Sequence, residues 1–189
     1  MLSSDVLSVR QFLRSATAVI HQRLDDSAAL MRLDTPGGYA RFLAAHAAAL
    51  LPMERELEEV GIGDVLPDWP QRARAGALRA DLAELGAGFV PLDPPLFGDD
   101  AAAMGAAYVL EGSRLGASVL RQRVPDGLPM RYLRHGEGGR LWPTFLKRLE
   151  EADCVRRRPH VAKAGAVAAF SLFEIAMQQV ALGAGTALA

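Results

Sequence analysis

An apolar segment over residues 99–124 places three glycines on one face of a predicted helix. Gly112 and Gly116 are four residues apart, and Gly105 lies two turns earlier on the same side. An interior glycine lowers helix stability by about 1 kcal/mol relative to alanine, although this sequence uses alanine freely elsewhere. The pattern indicates a bare strip of backbone that another body approaches closely. The spacing by itself favours a second helix as that body, with a flat ligand as the alternative.

A second candidate for chemistry is His21, which flanks the apolar stripe of the first predicted helix. It follows Ile20 directly and precedes Leu24 by three residues. A neutral imidazole in this position could ligate a metal, and iron is a common choice. The alternative, which a lone histidine favours, is a partly buried side chain that is hydrogen-bonded to a carbonyl or a carboxylate.

Basic side chains accompany these segments. Arg14 lies two turns before His21 on a similar side of the helix, and Lys147 and Arg148 follow an apolar run that contains Trp142. Cations beside an apolar pocket suit a ligand that carries carboxylate tails. A solvated charged face is the alternative for each of these residues taken alone.

The remaining histidines and several common motifs indicate little chemistry. We predict that His46 is core or faces a partner, that His135 is solvated in a glycine-rich loop, and that His160 is structural. No glutamate has a histidine three residues later, so a di-iron carboxylate site is excluded. One cysteine and four histidines are poor material for a structural zinc site. The sequence also lacks a P-loop, a dinucleotide-binding glycine motif and a nucleophile elbow.

The composition favours an all-helical protein. The 189 residues are 50% hydrophobic and 6% aromatic, with a formal net charge of -1. Alanine, the best helix former, is frequent and β-branched residues are sparse. A net charge near zero removes the basic footprint that nucleic-acid binding needs, so no nucleic-acid partner is predicted. Cys154 is the single cysteine, which fits a reducing cytoplasm.

No targeting or membrane segment is predicted. The first eight residues include Asp5 and have no basic segment before an apolar run, so they do not resemble a secretory signal. The most apolar stretch, over residues 161–182, is interrupted by Lys163 and Glu174 and by two glutamines. A membrane span needs about 20 residues with few charges, so this stretch is predicted to be a core helix.

Apolar spacing and helix-boundary residues predict six helices that must position these side chains. No segment alternates like a strand, and no internal repeat or interdomain linker is evident. The expected architecture is a single-domain, all-α helical bundle over residues 1–189, with its site between facing helices. The six helices are predicted near residues 5–26, 36–61, 70–85, 99–124, 140–153 and 159–183.

Taken together, these segments resemble the heme oxygenase family. The run LRSAT over residues 13–17, followed by His21, resembles the first helix of heme oxygenases. The run YVLEGSRLGA over residues 108–117 resembles their distal helix, in the form seen in bacterial biliverdin-producing members. The apolar last helix, with Phe170 and Phe173, is also similar. The matching pieces occur in order over nearly the whole chain.

The resemblance implies a heme oxygenase-like bundle with heme as cofactor and substrate. His21 would be the proximal ligand of the heme iron, which leaves the sixth coordination position open for oxygen. Gly112 and Gly116 would let the distal helix lie almost against the porphyrin and crowd oxygen toward one edge of the ring. Tyr108 would be among the heme contacts.

The resemblance also implies how the charged groups of heme are held. Arg14 would match a basic residue that pairs with a heme propionate. Lys147 and Arg148 fall near the position of other propionate-binding residues in the family.

The implied reaction is the oxidative cleavage of heme to biliverdin, carbon monoxide and ferrous iron. It would use O2 and electrons from a ferredoxin or a flavoprotein reductase, and a phytochrome is an attractive acceptor for the biliverdin. The family's membrane-anchored members carry an apolar C-terminal tail, which this sequence does not have, so a soluble cytoplasmic enzyme is expected.

One position departs from the family pattern. In many heme oxygenases an aspartate follows the first distal glycine and anchors a water network, whereas Ser113 stands here. A hydroxyl can hold a water but lacks the carboxylate charge. Arg114 is a further candidate for this role, with a solvent-facing side chain as the alternative. Ser113 also motivates a second hypothesis, a heme-binding or heme-sensing module without turnover, and a third is a helical interaction protein without a tetrapyrrole.

Overall fold

The computed structural model describes residues 8–186, and within that range it is helical with no β-strand. The prediction of an all-α protein is therefore confirmed. A 3₁₀ turn, Arg121–Arg123, follows α6. The α-helices are α1 Val9–Leu30, α2 Pro36–Glu59, α3 Ile62–Val65, α4 Trp69–Arg72, α5 Ala75–Glu84, α6 Asp100–Leu120, α7 Arg131–Arg134, α8 Leu141–Glu151, α9 Asp153–Arg157 and α10 Pro159–Thr186.

The start of α1 is anchored to α8. Ser8 and Gln11 form a capping box, in which Ser8 Oγ accepts the Gln11 N–H at 3.2 Å and Gln11 Oε1 accepts the Ser8 N–H at 2.9 Å. The Glu150 carboxylate on α8 accepts the N–H groups of Val9 and Arg10 at 3.0 and 2.8 Å. A negative charge at this position also suits the positive end of the helix dipole.

Several helix boundaries differ from the predicted ones. α1 continues to Leu30, and its predicted start at Asp5 lies outside the described residues. The helix predicted over residues 70–85 is interrupted between α4 and α5. The buried carboxylate of Glu54 on α2 accepts the Arg74 N–H at 2.8 Å and so caps a new helix at that point.

The second half of the chain is also more divided than predicted. The predicted loop over residues 125–139 contains the single turn α7. The helix predicted over residues 140–153 ends at Glu151, and α9 follows as a separate short helix. These breaks give the fold several short connecting elements beside the four long helices α1, α2, α6 and α10.

A backbone-to-backbone crossing joins α6 to α10. A β-carbon on Gly105 would lie 1.8 Å from the carbonyl oxygen of Ala162, and one on Gly165 would lie 2.1 Å from that of Ala102. Neither distance leaves room for a methyl group, so glycine is required on both helices. The helix-packing interpretation is therefore correct for Gly105.

The predicted core role of the most apolar stretch agrees with the contacts of α10. Residues Pro159–Leu182 are long and apolar enough to span a membrane, with a mean hydropathy of 1.4. However, α10 packs against α1, α2 and α6, and its Phe170 and Phe173 are 5% and 3% exposed. Its charged Lys163 faces outward.

Candidate functional site

A cleft of about 630 Å³ opens between α1 and α6, with further walls from α2, α8 and α10. Small-molecule sites typically enclose about 300–1,000 Å³, so this volume suits an organic ligand. Six of the predicted site residues line it together, although they come from two helices distant in sequence. They are Arg14 and His21 from α1, and Tyr108, Gly112, Ser113 and Gly116 from α6.

His21 presents an imidazole to this cleft from α1. Its Nδ1 lies 3.1 Å from Oδ2 of Asp25, one turn later, and 57% of its side chain is exposed. Its ring meets the ring of Phe170 edge-on, with 5.5 Å between the centroids. With Nδ1 engaged by a carboxylate, Nε2 is the nitrogen available to a metal.

The described side chains around His21 do not make up a ligand set for a free metal ion. Among the described residues, no group of three or more histidine, cysteine or acidic side chains is placed to hold one. The site therefore suits an iron whose other ligands arrive with it, because one imidazole then suffices.

The α6 wall of the cleft is bare backbone at Gly116. A β-carbon there would have nothing within 4 Å, whereas one on Gly112 would lie 3.7 Å from two ring atoms of Trp142. For neither glycine does a β-carbon come within 4 Å of α10, in contrast to Gly105. The helix-packing interpretation therefore does not extend to these two positions.

A buried cation lies directly behind Ser113. The Ser113 hydroxyl donates to the Leu110 carbonyl at 2.7 Å and accepts from Nη2 of Arg74 at 2.8 Å. Arg74 is 2% exposed, and its Nε has no hydrogen-bond partner among the described atoms. The uncharged hydroxyl at this position is thus bonded to a guanidinium that the sequence places 39 residues away.

His46 is a cleft residue that the sequence did not identify as one. Its Nδ1 lies 2.7 Å from the hydroxyl of Tyr132, whose N–H donates to the carboxylate of Asp81 at 2.9 Å. Burial, assisted by the charge of Arg74, lowers the pKa of His46 to about 3. The imidazole is therefore neutral at physiological pH. Nothing in the alanine-rich sequence around His46 indicates that its side chain lines a cleft.

The cleft has a cationic end. Arg10 and Arg14 lie one turn apart on α1, and both line the cleft with Tyr108. Burial raises the pKa of Tyr108, and the positive charges of the two arginines oppose this shift, so both lie within electrostatic range of the phenol. Arg10 was not among the predicted site residues. Its spacing of four residues from Arg14 places both side chains on one helix face and could have identified it.

The structure does not bring Lys147 and Arg148 into the cleft. The Lys147 side chain is 75% exposed, and Nε of Arg148 lies 4.0 Å from Asp68 outside the cleft. α8 buries Phe145 on its inner face, so positions 147 and 148 turn toward solvent. The residue that α8 contributes to the cleft is Trp142.

Arg114 and His135 pair behind α6 instead of facing solvent. Nη1 of Arg114 donates to the His135 carbonyl at 3.1 Å, and its Nε donates to the buried carboxylate of Glu111 at 3.0 Å. Burial, followed by the charge of Arg114, lowers the pKa of His135. The prediction of a solvated His135 is therefore wrong, because Arg114 draws it toward a buried acid that local sequence does not reveal.

Solved structures of heme oxygenases share this fold. The NO- and CO-bound heme oxygenase from Neisseria meningitidis superposes with a TM-score of 0.80 and 22% identity, over 93% of this chain and 92% of that one. Heme oxygenase from Leptospira interrogans superposes with a TM-score of 0.72 and 18% identity, over 92% of this chain and 100% of that one. These likenesses establish the heme oxygenase-like bundle.

Sequence relatives establish more than the fold, although no protein-family model matches the chain. A heme oxygenase of Xanthomonas campestris pv. campestris is 38% identical over 91 residues, which cover 46% of this chain and 55% of that protein. Heme oxygenase PigA of Pseudomonas aeruginosa is 32% identical over 185 residues, covering 88% of this chain and 92% of that protein. The chain therefore belongs to the heme oxygenase family.

Proposed function

We propose that this protein cleaves heme oxidatively to biliverdin, carbon monoxide and ferrous iron, using O2 and electrons from a separate donor. The observation that carries the proposal is a single cleft that has the imidazole of His21 on α1 and the bare backbone of Gly116 on α6. A planar iron macrocycle suits a slot with a nitrogen ligand on one side and no side chain on the other. The relative PigA, named as a heme oxygenase, supports the same reaction.

On the proximal side, His21 would bind the iron through Nε2. The Asp25 carboxylate, 3.1 Å from Nδ1, would hold the proton on that nitrogen and orient the ring. Heme supplies both the iron that activates O2 and the carbon framework that is cut, while the protein supplies position.

On the distal side, Gly112 and Gly116 would let the macrocycle lie against α6. The helix backbone would then exclude bulky groups from the oxygen side and would leave O2 room only toward the edge of the ring. A side chain at Gly116 would occupy the space of the substrate itself, since nothing else lies within 4 Å of that position.

Ser113 is the residue that we propose for holding water on the oxygen side. Its proton is used in the bond to the Leu110 carbonyl, so Oγ is left to accept a hydrogen bond from a water in the cleft. Arg74 donates to the same oxygen and places a fixed positive charge behind it. The positive charge of Arg74 would stabilise negative charge that develops on oxygen during the reaction. A carboxylate at position 113 would neutralise that charge, whereas the serine hydroxyl does not.

At the cationic end, Arg14 and Arg10 would pair with the two propionates of heme, with Tyr108 beside them. Exposed arginines suit this task because a propionate can keep part of its hydration while it bonds to the guanidinium. The apolar remainder of heme would lie against Phe170 and Leu24 at the centre of the cleft.

The decisive experiment adds hemin and a competent electron donor to the purified protein under air. We expect the Soret band to decay, with bile-pigment absorption and biliverdin as the product. His21→Ala should bind heme loosely and lose turnover until imidazole is supplied. A Soret band that persists in the wild type with a competent donor contradicts the proposal.

The same assay separates the alternatives. A stable oxygenated heme without ring cleavage is the signature of a heme-binding module without turnover, which Ser113 in place of an aspartate motivates. A hemin spectrum that the protein leaves unchanged would point to a helical interaction protein. The family membership and the Arg74–Ser113 bond favour turnover.

We also propose the setting of the reaction. The electron donor is a ferredoxin or a flavoprotein reductase, and the biliverdin acceptor is a phytochrome. The cytoplasm is the proposed location, which the free, half-buried Cys154 supports because it needs no oxidising compartment.

A further inference from the structure

Trp142 lines the cleft, yet the proposed reaction gives it no role. It lies in the first turn of α8, where its indole tilts against Tyr108 with 5.8 Å between ring centroids. On another side it stacks on Phe145, with 6.0 Å between centroids and 19° between planes. Two aromatic neighbours and its place in a helix restrict the indole to one orientation, so it acts as a rigid wall.

The indole makes the surroundings of Gly112 differ from those of Gly116, although the sequence spacing places both glycines on one helix face. Cζ3 and Cη2 of Trp142 lie 3.7 Å from the position of a β-carbon on Gly112, whereas Gly116 has nothing within that range. A planar ligand lying on α6 therefore finds free backbone at Gly116 and meets the indole at Gly112. The indole limits how far the ligand can slide along the helix toward Tyr108.

The charged residues that line the cleft with Trp142 cannot set this position as sharply. Arg10 and Arg14 are exposed, and each has several rotatable bonds with which to follow a moving carboxylate. A tryptophan has two side-chain torsions, and both are restrained here by packing. The arginines attract the ligand toward one end of the cleft, and the indole determines where it stops.

We infer that Trp142 selects which meso carbon of heme is cut. It does so by limiting the translation and in-plane rotation of the macrocycle, so that one meso edge lies beside the Gly112–Gly116 backbone. The inference rests on the proposed cleavage of heme and concerns only its regiospecificity. Removal of the indole opens a second seat in the same plane, from which a different meso carbon faces α6.

The first test compares the biliverdin isomers formed by wild type, Trp142→Ala and Trp142→Phe. We expect the isomer ratio to change by about tenfold in Trp142→Ala, which corresponds to about 1.4 kcal/mol between the two orientations of heme. In Trp142→Phe, which keeps an aromatic wall, the ratio should change by less than about twofold. Trp69→Phe is the matched control, since Trp69 is 4% exposed, bonds to Glu58 and lies outside the cleft. An unchanged ratio in a Trp142→Ala protein that still turns over heme overturns the inference.

A second test needs neither turnover nor a substitution of Trp142. The protein is prepared with 5-fluorotryptophan, and its fluorine resonances are assigned with Trp69→Phe. On binding zinc protoporphyrin, which is not cleaved, the Trp142 resonance should shift strongly through the ring current while that of Trp69 hardly moves. An unshifted Trp142 resonance overturns the inference. Wild-type protein that shows the shift but never yields biliverdin contradicts the proposed cleavage, while the contact stands.

Discussion

The two halves of α6 use glycine on the same helix face for different purposes. In the first half, Gly105 faces the carbonyl of Ala162 at a distance that no β-carbon could occupy, and its neighbours Ala103 and Ala106 are fully buried. In the second half, Gly116 borders the cleft with nothing within 4 Å, and Leu115 is 55% exposed. One half packs against another helix, and the other is positioned to receive a ligand.

The layers behind the two halves differ as well. The first half is held by close van der Waals packing on the backbone of α10. The second half is held by hydrogen bonds from Arg74 and by the Arg114–Glu111 pair. The two halves therefore differ in what holds them: close packing on the backbone of α10 fixes the first, and hydrogen bonds from distant side chains support the second.

The largest expected effect is that of a side chain in the second half. Gly116→Leu should keep the helical fold, because the position is open, and should lower turnover at least about a hundredfold, or about 2.7 kcal/mol. The measurements are circular dichroism, a hemin titration and the biliverdin assay. Ser118→Leu, on the solvent side of the same turn, is the control and should remain active. Wild-type turnover in Gly116→Leu would remove the glycine face from the proposed site.

Replacing a glycine with alanine should change the free energy of unfolding in opposite directions in the two halves of α6. Gly105→Ala should lower the free energy of unfolding by about 2 kcal/mol, since overpacking against backbone exceeds the helix-propensity gain. Gly116→Ala should raise it by up to about 1 kcal/mol, because only that gain remains. Urea unfolding without ligand measures both. Equal effects in the two variants would contradict the division of α6.

The buried imidazole of His46 on the α2 wall of the cleft predicts a pH dependence. The pKa of His46 is about 3 in the folded protein and near 6.5 when unfolded. Between these values the unfolded state binds more protons, so stability is full above pH 6.5 and falls as the pH drops. From pH 7 to pH 5 this histidine should remove about 2 kcal/mol.

The measurement is urea unfolding at both pH values in wild type and His46→Gln, whose amide can still bond to Tyr132. The variant should lose less stability between pH 7 and pH 5 than the wild type, because it cannot take up the proton. Equal losses would show that His46 is not buried in its neutral form.

The smallest expected effect concerns the bond between Ser113 and Arg74. Ser113→Ala should lower stability by about 1 kcal/mol, because Arg74 loses one acceptor, and should slow turnover severalfold. Ser118→Ala is the matched control, since its hydroxyl bonds only to the exposed Leu115 carbonyl and surface changes stay within about 0.5 kcal/mol. Identical kinetics in both variants would exclude Ser113 from the distal side.

Local sequence determined much of this protein. The apolar periodicity predicted the long helices. A helix that packs on a core places apolar residues at three- and four-residue steps along its inner face, whichever element covers that face. The spacing of Arg14 from His21 and of Gly112 from Gly116 placed each pair on one face, and the structure keeps those faces toward one cleft. The spacing could not assign partners: Gly105 shares the face of Gly112 and Gly116, yet α10 covers only Gly105.

Tertiary structure decided everything that depends on which element covers which face. It brought the guanidinium of Arg74 to Ser113 and the imidazole of His46 to the cleft, and it turned Lys147 away while bringing Trp142 in. Periodicity records the environment that a residue prefers, and a buried arginine or histidine runs against that preference. Such residues are stabilised by hydrogen bonds from distant segments, and no local pattern in the sequence encodes those bonds.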